Sequence, residues 1–210
     1  MKRTATLVVV AMFFATPTVG AQESRVADGV YGRFDGDLNL SLAAGPAFAA
    51  EGASGAFLAR AYFLETAGMF FAFTDRLQEA SSGPRRSLAL GVSIRPFFVP
   101  RWGLNLEKGP AILDLTIDAT AIELGALWVA EEASHFNRPP GLELALATEV
   151  PLSGGAEGLW IGARGSLRWR DTELSGASHG PALGPALLLT VAWHVLTGAH
   201  LVDAGDRRLR

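Results

Sequence analysis

"RFDGDLNLSL", residues 33–42, alternates without a slip: Arg33, Asp35, Asp37, Asn39 and Ser41 on one parity, Phe34, Gly36, Leu38, Leu40 and Leu42 on the other. A period of two describes a strand with two unlike faces. Which face is wet decides the fold. In a soluble protein the leucines point to the core and the charges to water. In an outer-membrane barrel the leucines face lipid and the charges face the lumen.

Working outward, the N-terminal end sets the compartment. Met1-Lys2-Arg3 is a short basic segment, and Thr4–Ala15 is an apolar run of signal-peptide length. Pro17 breaks that run, and Val19 and Ala21 are small residues placed for cleavage before Gln22. Residues 1–21 therefore read as a removed export signal, with an uncleaved anchor as the alternative. Residues 22–29 form a short polar segment, 30–197 one β-domain, and 198–210 a polar tail.

Without Lys2 and Arg3 the remainder carries 16 bases against 21 acids, a formal charge of −5. That balance argues against nucleic acid as a partner. There is no cysteine, so neither disulfides nor a lipidated cysteine hold the protein in the envelope. The chain is 49% hydrophobic and 19% charged, with a mean hydropathy of +0.25, which is greasy for an exported soluble domain.

Segments of strand period recur, separated by Gly, Pro, Ser and charge clusters. The sequence predicts strands over about 30–44, 56–65, 69–76, 86–98, 111–120, 142–152, 159–170 and 185–196. In the fifth, Leu113, Leu115, Ile117 and Ala119 alternate with Asp114, Thr116, Asp118 and Thr120, and 122–130 either continues it or forms a separate element. Eight strands is an even number, as a closed bacterial barrel requires. Connections after strands 2 and 6 are short, and those at 45–55, 77–85, 131–140 and 171–184 are longer. The connection after strand 4 breaks the alternation, being too long for a simple turn.

Collecting the charged parity gives Arg33, Asp35, Asp37, Arg60, Arg95, Asp114, Asp118, Glu143, Glu149, Arg164, Arg168 and Arg170: six bases and six acids. An unpaired buried ion costs several kcal/mol, so near-neutrality suits a filled lumen. The opposite parity is almost wholly apolar. Tyr31, Trp128, Trp169 and Trp193 stand near predicted strand ends, as interfacial aromatics would.

On "DLNLSL", "LDLTIDAT" and "LLLTVAWHV" the chain resembles small bacterial outer-membrane barrels of the OmpA and OmpX type, over most of residues 30–197. The resemblance implies an all-β antiparallel transmembrane barrel of about eight strands, in contact with outer-membrane lipid. The chain departs from that pattern after Leu196, where many such barrels end in a terminal aromatic and this one continues to "RRLR". A rival reading of residues 183–202, which lack Asp, Glu, Lys and Arg, is a C-terminal transmembrane helix. Gly184, Pro185, His194 and Gly198 punctuate that run against it.

Catalytic residues are sparse. Ser134 with His135 and Ser178 with His179 offer a loop Ser/His site for lipid modification, but such pairs are common by chance in glycine-rich loops. His194 reads as a lumen hydrogen-bonder, and no His or Cys cluster suggests a metal. No glycine stretch has the spacing of a phosphate loop. The expectation is a non-enzymatic, monomeric barrel without cofactor, in the bacterial outer membrane, with outer loops open to an envelope or extracellular ligand. The alternatives are a narrow pore and a soluble periplasmic barrel of lipocalin type.

Overall fold

The computed structural model describes residues 31–77, 84–130, 135–136, 139–176 and 183–199. The expected export signal at 1–21, the polar segment at 22–29 and nearly all of the tail at 198–210 lie outside them. Eight strands form a closed, wholly antiparallel barrel in chain order. They are β1 (Leu38–Ala49), β2 (Gly52–Phe63), β3 (Ala67–Arg76), β4 (Arg86–Ile94), β5 (Ala121–Ala130), β6 (Gly141–Pro151), β7 (Gly158–Trp169) and β8 (Pro185–Thr197). β1 closes on β8, with Leu42 opposite Trp193. Residues 185–197 are thus a strand, and no helix among the described residues is long and apolar enough to cross a membrane.

The side chains settle the opening question of which face is which. Leu40 and Leu42 point out of the barrel, and Asn39 and Ser41 are buried inside it. The same inversion runs round the wall. Leu90 and Val92, Ile122 and Leu124, Leu144 and Leu146, Ile161 and Leu167, and Leu189 and Val191 are all exposed, and the alternate positions are buried.

Three elements lie outside the strands: α1 (Phe98–Gly103) and α2 (Ala111–Asp118), both between β4 and β5, and the single turn α3 (Asp171–Leu174) between β7 and β8. With residues 31–37, α1 and α2 close one end, called here the plug end. The chain both enters and leaves the barrel there. The over-long connection after strand 4 is this plug.

Several expectations are corrected. Residues 111–118 are helix, not strand. Pro110, in extended conformation, precedes the first turn, where a proline costs no hydrogen bond. Thr116 Oγ1 donates back to Ile112 O at 2.6 Å. A spacing of four puts Asp114 and Asp118 on one face under either period, so alternation could not distinguish the two. Leu115, assigned to the apolar outer wall, is buried beneath the plug.

The first strand starts at Leu38, not Val30. Tyr31 and Gly32 both take positive φ and turn Arg33 into the plug. The expected loop at 45–55 is instead the β1–β2 hairpin, whose strands pair to Ala49–Gly52. At the plug end, Leu64 and Glu65 take the left-handed φ of a tight hairpin turn without glycine. Such residues persist where their surroundings hold them, and Glu65 is held by a buried ion pair with Arg95.

Candidate functional site

The barrel interior is the candidate site, and most of its charges fall into two clusters. The central one is built on alternate positions of facing strands. Glu123 on β5, with no exposed surface, lies between Arg60 on β2 (Nε–Oε1 2.7 Å) and Arg164 on β7 (Nε–Oε2 2.5 Å). Arg60 continues to Glu149 on β6 at 2.9 Å, and Arg164 to Glu143 on β6 at 2.5 Å. Glu149 also meets His194 Nε2 on β8 at 3.1 Å and Arg95 Nη2 at 3.9 Å.

Arg95 pairs with Glu65, which also accepts from Asn39 Nδ2. Its guanidinium lies 3.8 Å from the Tyr62 ring centroid, a cation–π contact. Gly162 leaves room for this arrangement: a Cβ there would lie 2.5 Å from Thr190 Oγ1 and 3.1 Å from Glu149 Cγ. At the opposite, loop end, Arg168 reaches both Glu51 oxygens at 3.2 Å.

The second cluster locks the plug. Arg33 bridges Asp118 (2.5 Å) and Glu107 (2.7 Å), with its guanidinium 4.6 Å from the Phe98 ring centroid. Arg101 bridges Asp114 (2.5 Å) and Asp118 (2.8 Å). Asp114 Oδ2 also accepts from Tyr31 OH at 2.8 Å and from Gly109 N–H at 2.9 Å.

Burial raises the Tyr31 hydroxyl to about 12, with the Asp114 carboxylate adding to the effect. Burial also pushes Glu107 up to about 7, reinforced by Asp118 and opposed by Arg33. Two arginines thus face three carboxyls, one of which titrates near neutrality.

The residues singled out from sequence divide accordingly. Arg60, Glu143, Glu149, Arg164 and Arg168 lie on strands and are buried in the interior. Arg95 lies one residue past β4, yet its side chain joins the central cluster. Arg33, Asp114 and Asp118 belong to the plug and not to strands. Asp35 is exposed before β1, and Asp37 accepts from Ala199 N–H at 2.5 Å. Neither joins a cluster through a strand, because β1 begins after them. Arg170 stands past the end of β7, at the start of α3.

Among the aromatics, Trp128, Trp169 and Trp193 share the outward parity of their strands. Tyr31 is corrected: it is buried and bonded to Asp114, not set at a barrel rim. Trp160, of inward parity, stacks near His194 with centroids 4.7 Å apart.

Sequence reading missed Glu51, Glu65, Arg101, Glu107 and Glu123. Glu123 had a signal, since Ile122, Leu124, Ala126 and Trp128 alternate around it. Glu65 sits in a turn and Glu107 in a loop, where no period applies. Ser134, Ser178 and His179 lie outside the described residues. Among the described residues no group of three His, Asp or Glu is arranged to hold a metal.

Two small cavities lie in the interior among the described residues. A cavity of about 10 Å³ lies under the plug, lined by Asn39, Arg95, Leu115 and Trp160 among others. Another of about 40 Å³ at the loop end is lined by Ala47, Ser54, Ala72, Ser87, Arg164 and Arg168. Between them lie the Glu123–Arg60 and Glu123–Arg164 ion pairs.

No protein-family model matches the sequence, and no curated protein matches it. Among solved structures, the chain is similar to the crystal structure of Neisserial surface protein A (NspA), at 11% identity and a TM-score of 0.40, over 75% of this chain and 94% of that one.

Proposed function

We propose that this chain is an integral β-barrel of the bacterial outer membrane, with a structural or surface-interaction role and a closed, ion-paired interior. One observation carries the reading: the outer wall is apolar on strand after strand, while buried ion pairs sit inside beside an apolar cluster that includes Leu58, Phe70, Leu127 and Leu188. Soluble monomers rarely expose contiguous apolar patches beyond a few hundred Å², and here the outward positions of strand after strand are Leu, Ile, Val, Phe, Met or Ala. Hydrocarbon is the solvent that suits such a wall, and closure leaves no strand edge unpaired within it.

The plug end, where the chain enters and leaves the barrel, takes the periplasmic side. The loop end, with the longer connections at 77–85, 131–140 and 170–184, then faces outward and supplies the surface for a partner. Eight-stranded barrels have interiors just wide enough for side chains to fill, and the ion-paired interior here fits a stiffening role better than a conducting one.

A soluble carrier of an apolar ligand would need an apolar interior, which Glu123, Arg60 and Arg164 deny it. A narrow pore is the next reading, favoured by the small cavity that reaches Arg164 from the loop end. Single-channel recording separates the two, with no steady conductance expected. Expression followed by membrane fractionation and electrophoresis with and without boiling tests the main reading. A membrane-integral product whose mobility changes on boiling supports it; a soluble product of one mobility overturns it.

A further inference from the structure

We infer that the plug is also a membrane-binding element, and that the segment from Phe97 to Leu113 lies at the hydrocarbon–headgroup boundary of the phospholipid leaflet at the plug end. The inference rests on the membrane reading above. It starts from a second polarity inversion, in a part of the chain that contains no strand.

Phe97, Val99, Trp102, Leu104, Leu106, Ile112 and Leu113 are all exposed, Leu104 at 70% and Trp102 at 50%. The carboxylates of this segment and of the α2 turns that follow it are buried, while Lys108 is exposed. Glu107, Asp114 and Asp118 are turned inward onto Arg33 and Arg101. Phe34, itself exposed, extends the apolar face by packing on Trp102 with ring centroids 5.4 Å apart.

A helix pair in water would be arranged the other way, with its stripe of leucines on the barrel and its carboxylates outside. Strands and helices have different periods, so the same inversion in both implies the same surroundings. The apolar surface is also continuous along the chain with the wall. Val92 and Ile94, at the end of β4, are outward and more than half exposed, and Phe97 follows three residues later.

Length fixes the depth. α1 has six residues and α2 eight, so at 1.5 Å per residue each runs only about 9–12 Å. Neither can cross a bilayer, but each can lie in its boundary region. An exposed tryptophan is the side chain suited to that level, with an apolar body and a polar N–H. Because the segment's carboxylates are turned inward and Lys108 is its exposed charge, binding should depend chiefly on the acyl boundary, with a secondary gain from anionic headgroups.

The test uses the four outer tryptophans. In full-length protein, Trp128, Trp169 and Trp193 are replaced by Phe, leaving Trp102 and the interior Trp160. The variant is inserted into phosphatidylcholine vesicles whose acyl chains carry bromine either near the glycerol or near the chain end. A mobility change on boiling verifies folding, and Trp102→Phe in the same background isolates the signal.

The inference predicts that Trp102 emission is lost more to shallow bromine than to deep bromine, in neutral vesicles as well as in vesicles with anionic lipid. An inserted barrel whose Trp102 is unquenched overturns it. Red-shifted emission would then place the patch in water, and blue-shifted emission that depends on protein density would place it against a second copy. If the original protein does not insert and none of its tryptophans is quenched, the membrane reading itself has failed.

Discussion

Glu123 of β5 and Arg60 of β2 meet inside the barrel at 2.7 Å, and Glu123 has no surface exposed to any solvent. The strands that carry them are three apart in the sheet, so the pair ties opposite parts of the wall together. Around it, four carboxylates (Glu65, Glu123, Glu143 and Glu149) share three guanidiniums (Arg60, Arg95 and Arg164). Acids outnumber arginines in this cluster. Its response to mutation should therefore be lopsided.

Arg60→Met should destabilise the folded barrel by about 3–5 kcal/mol, because it leaves buried carboxylates underpaired. Glu123→Gln removes an acid, leaving three carboxylates for three guanidiniums, and should cost clearly less. Urea unfolding in micelles, followed by the loss of the fast-migrating form on unboiled gels, compares the two. Equal costs would show that the charge balance is not what matters.

Val191 sits at the middle of β8 on the outer wall and is 54% exposed. Val191→Arg should cost about 2–4 kcal/mol if that level is near the bilayer midplane, and should deplete the protein from the membrane fraction. Thr190→Val, one residue away on the inward parity, serves as the control and should leave membrane levels near normal. Unchanged membrane levels of Val191→Arg would count against the wall assignment.

The plug should loosen as pH rises. Glu107 is pushed up to about 7 in the folded protein from an ordinary value of 4.5, so the folded state holds more protons than the unfolded one in between. Its contribution is fully present below about 4.5 and is lost as pH climbs through 7, at most about 3 kcal/mol. Hydrogen exchange of the α2 amides, corrected for intrinsic rates, should show faster opening at pH 8 than at pH 5. Glu107→Gln should flatten that dependence; an unflattened profile would assign it to another group.

Tyr31 offers a spectroscopic reading of the same latch. Burial and Asp114 raise its hydroxyl to about 12 from 10.0. The chain has two tyrosines, so Tyr62→Phe leaves Tyr31 alone to report. Its tyrosinate absorbance should appear near 12 in the folded barrel and near 10 once unfolded. A folded-state midpoint near 10 would mean that the phenol is neither buried nor bonded to Asp114 as described. Tyr31→Phe should cost the plug about 0.5–1.5 kcal/mol.

Much of the wall was legible in the sequence because a strand's period is short and its two faces meet different surroundings. "LELALATEV" placed Glu143 and Glu149 together on a face opposite Leu144 and Leu146, and the structure has that arrangement. The plug was not legible by the same means. "LDLTID" fits a strand's alternation, yet Asp114 and Asp118 also share a helical face. What decided between them was a distant Arg33 and Arg101, which no local period reveals. The useful hint was the connection after β4, too long for a turn.

The candidate site was legible where its charges lay on strands, as at Arg60 and Arg164. It was hidden where turns supplied them, as at Glu65 and Glu107. Tyr31 was misplaced for the same reason: proximity to a predicted strand suggested a rim, whereas two residues at positive φ swing this part of the chain under the barrel.

The absence of cysteine permits a direct test of the central claim that the barrel is apolar outside and charged within. Single cysteines at Leu144, Ala145, Leu146 and Ala147 of β6 would each carry a nitroxide in the vesicle-inserted protein. Collision with oxygen, which concentrates in hydrocarbon, and with a water-soluble nickel chelate would be measured at each position. The account predicts high oxygen and low nickel accessibility at 144 and 146, and low accessibility to both at 145 and 147. Nickel accessibility at 144 and 146 would put the leucines in water and contradict the account.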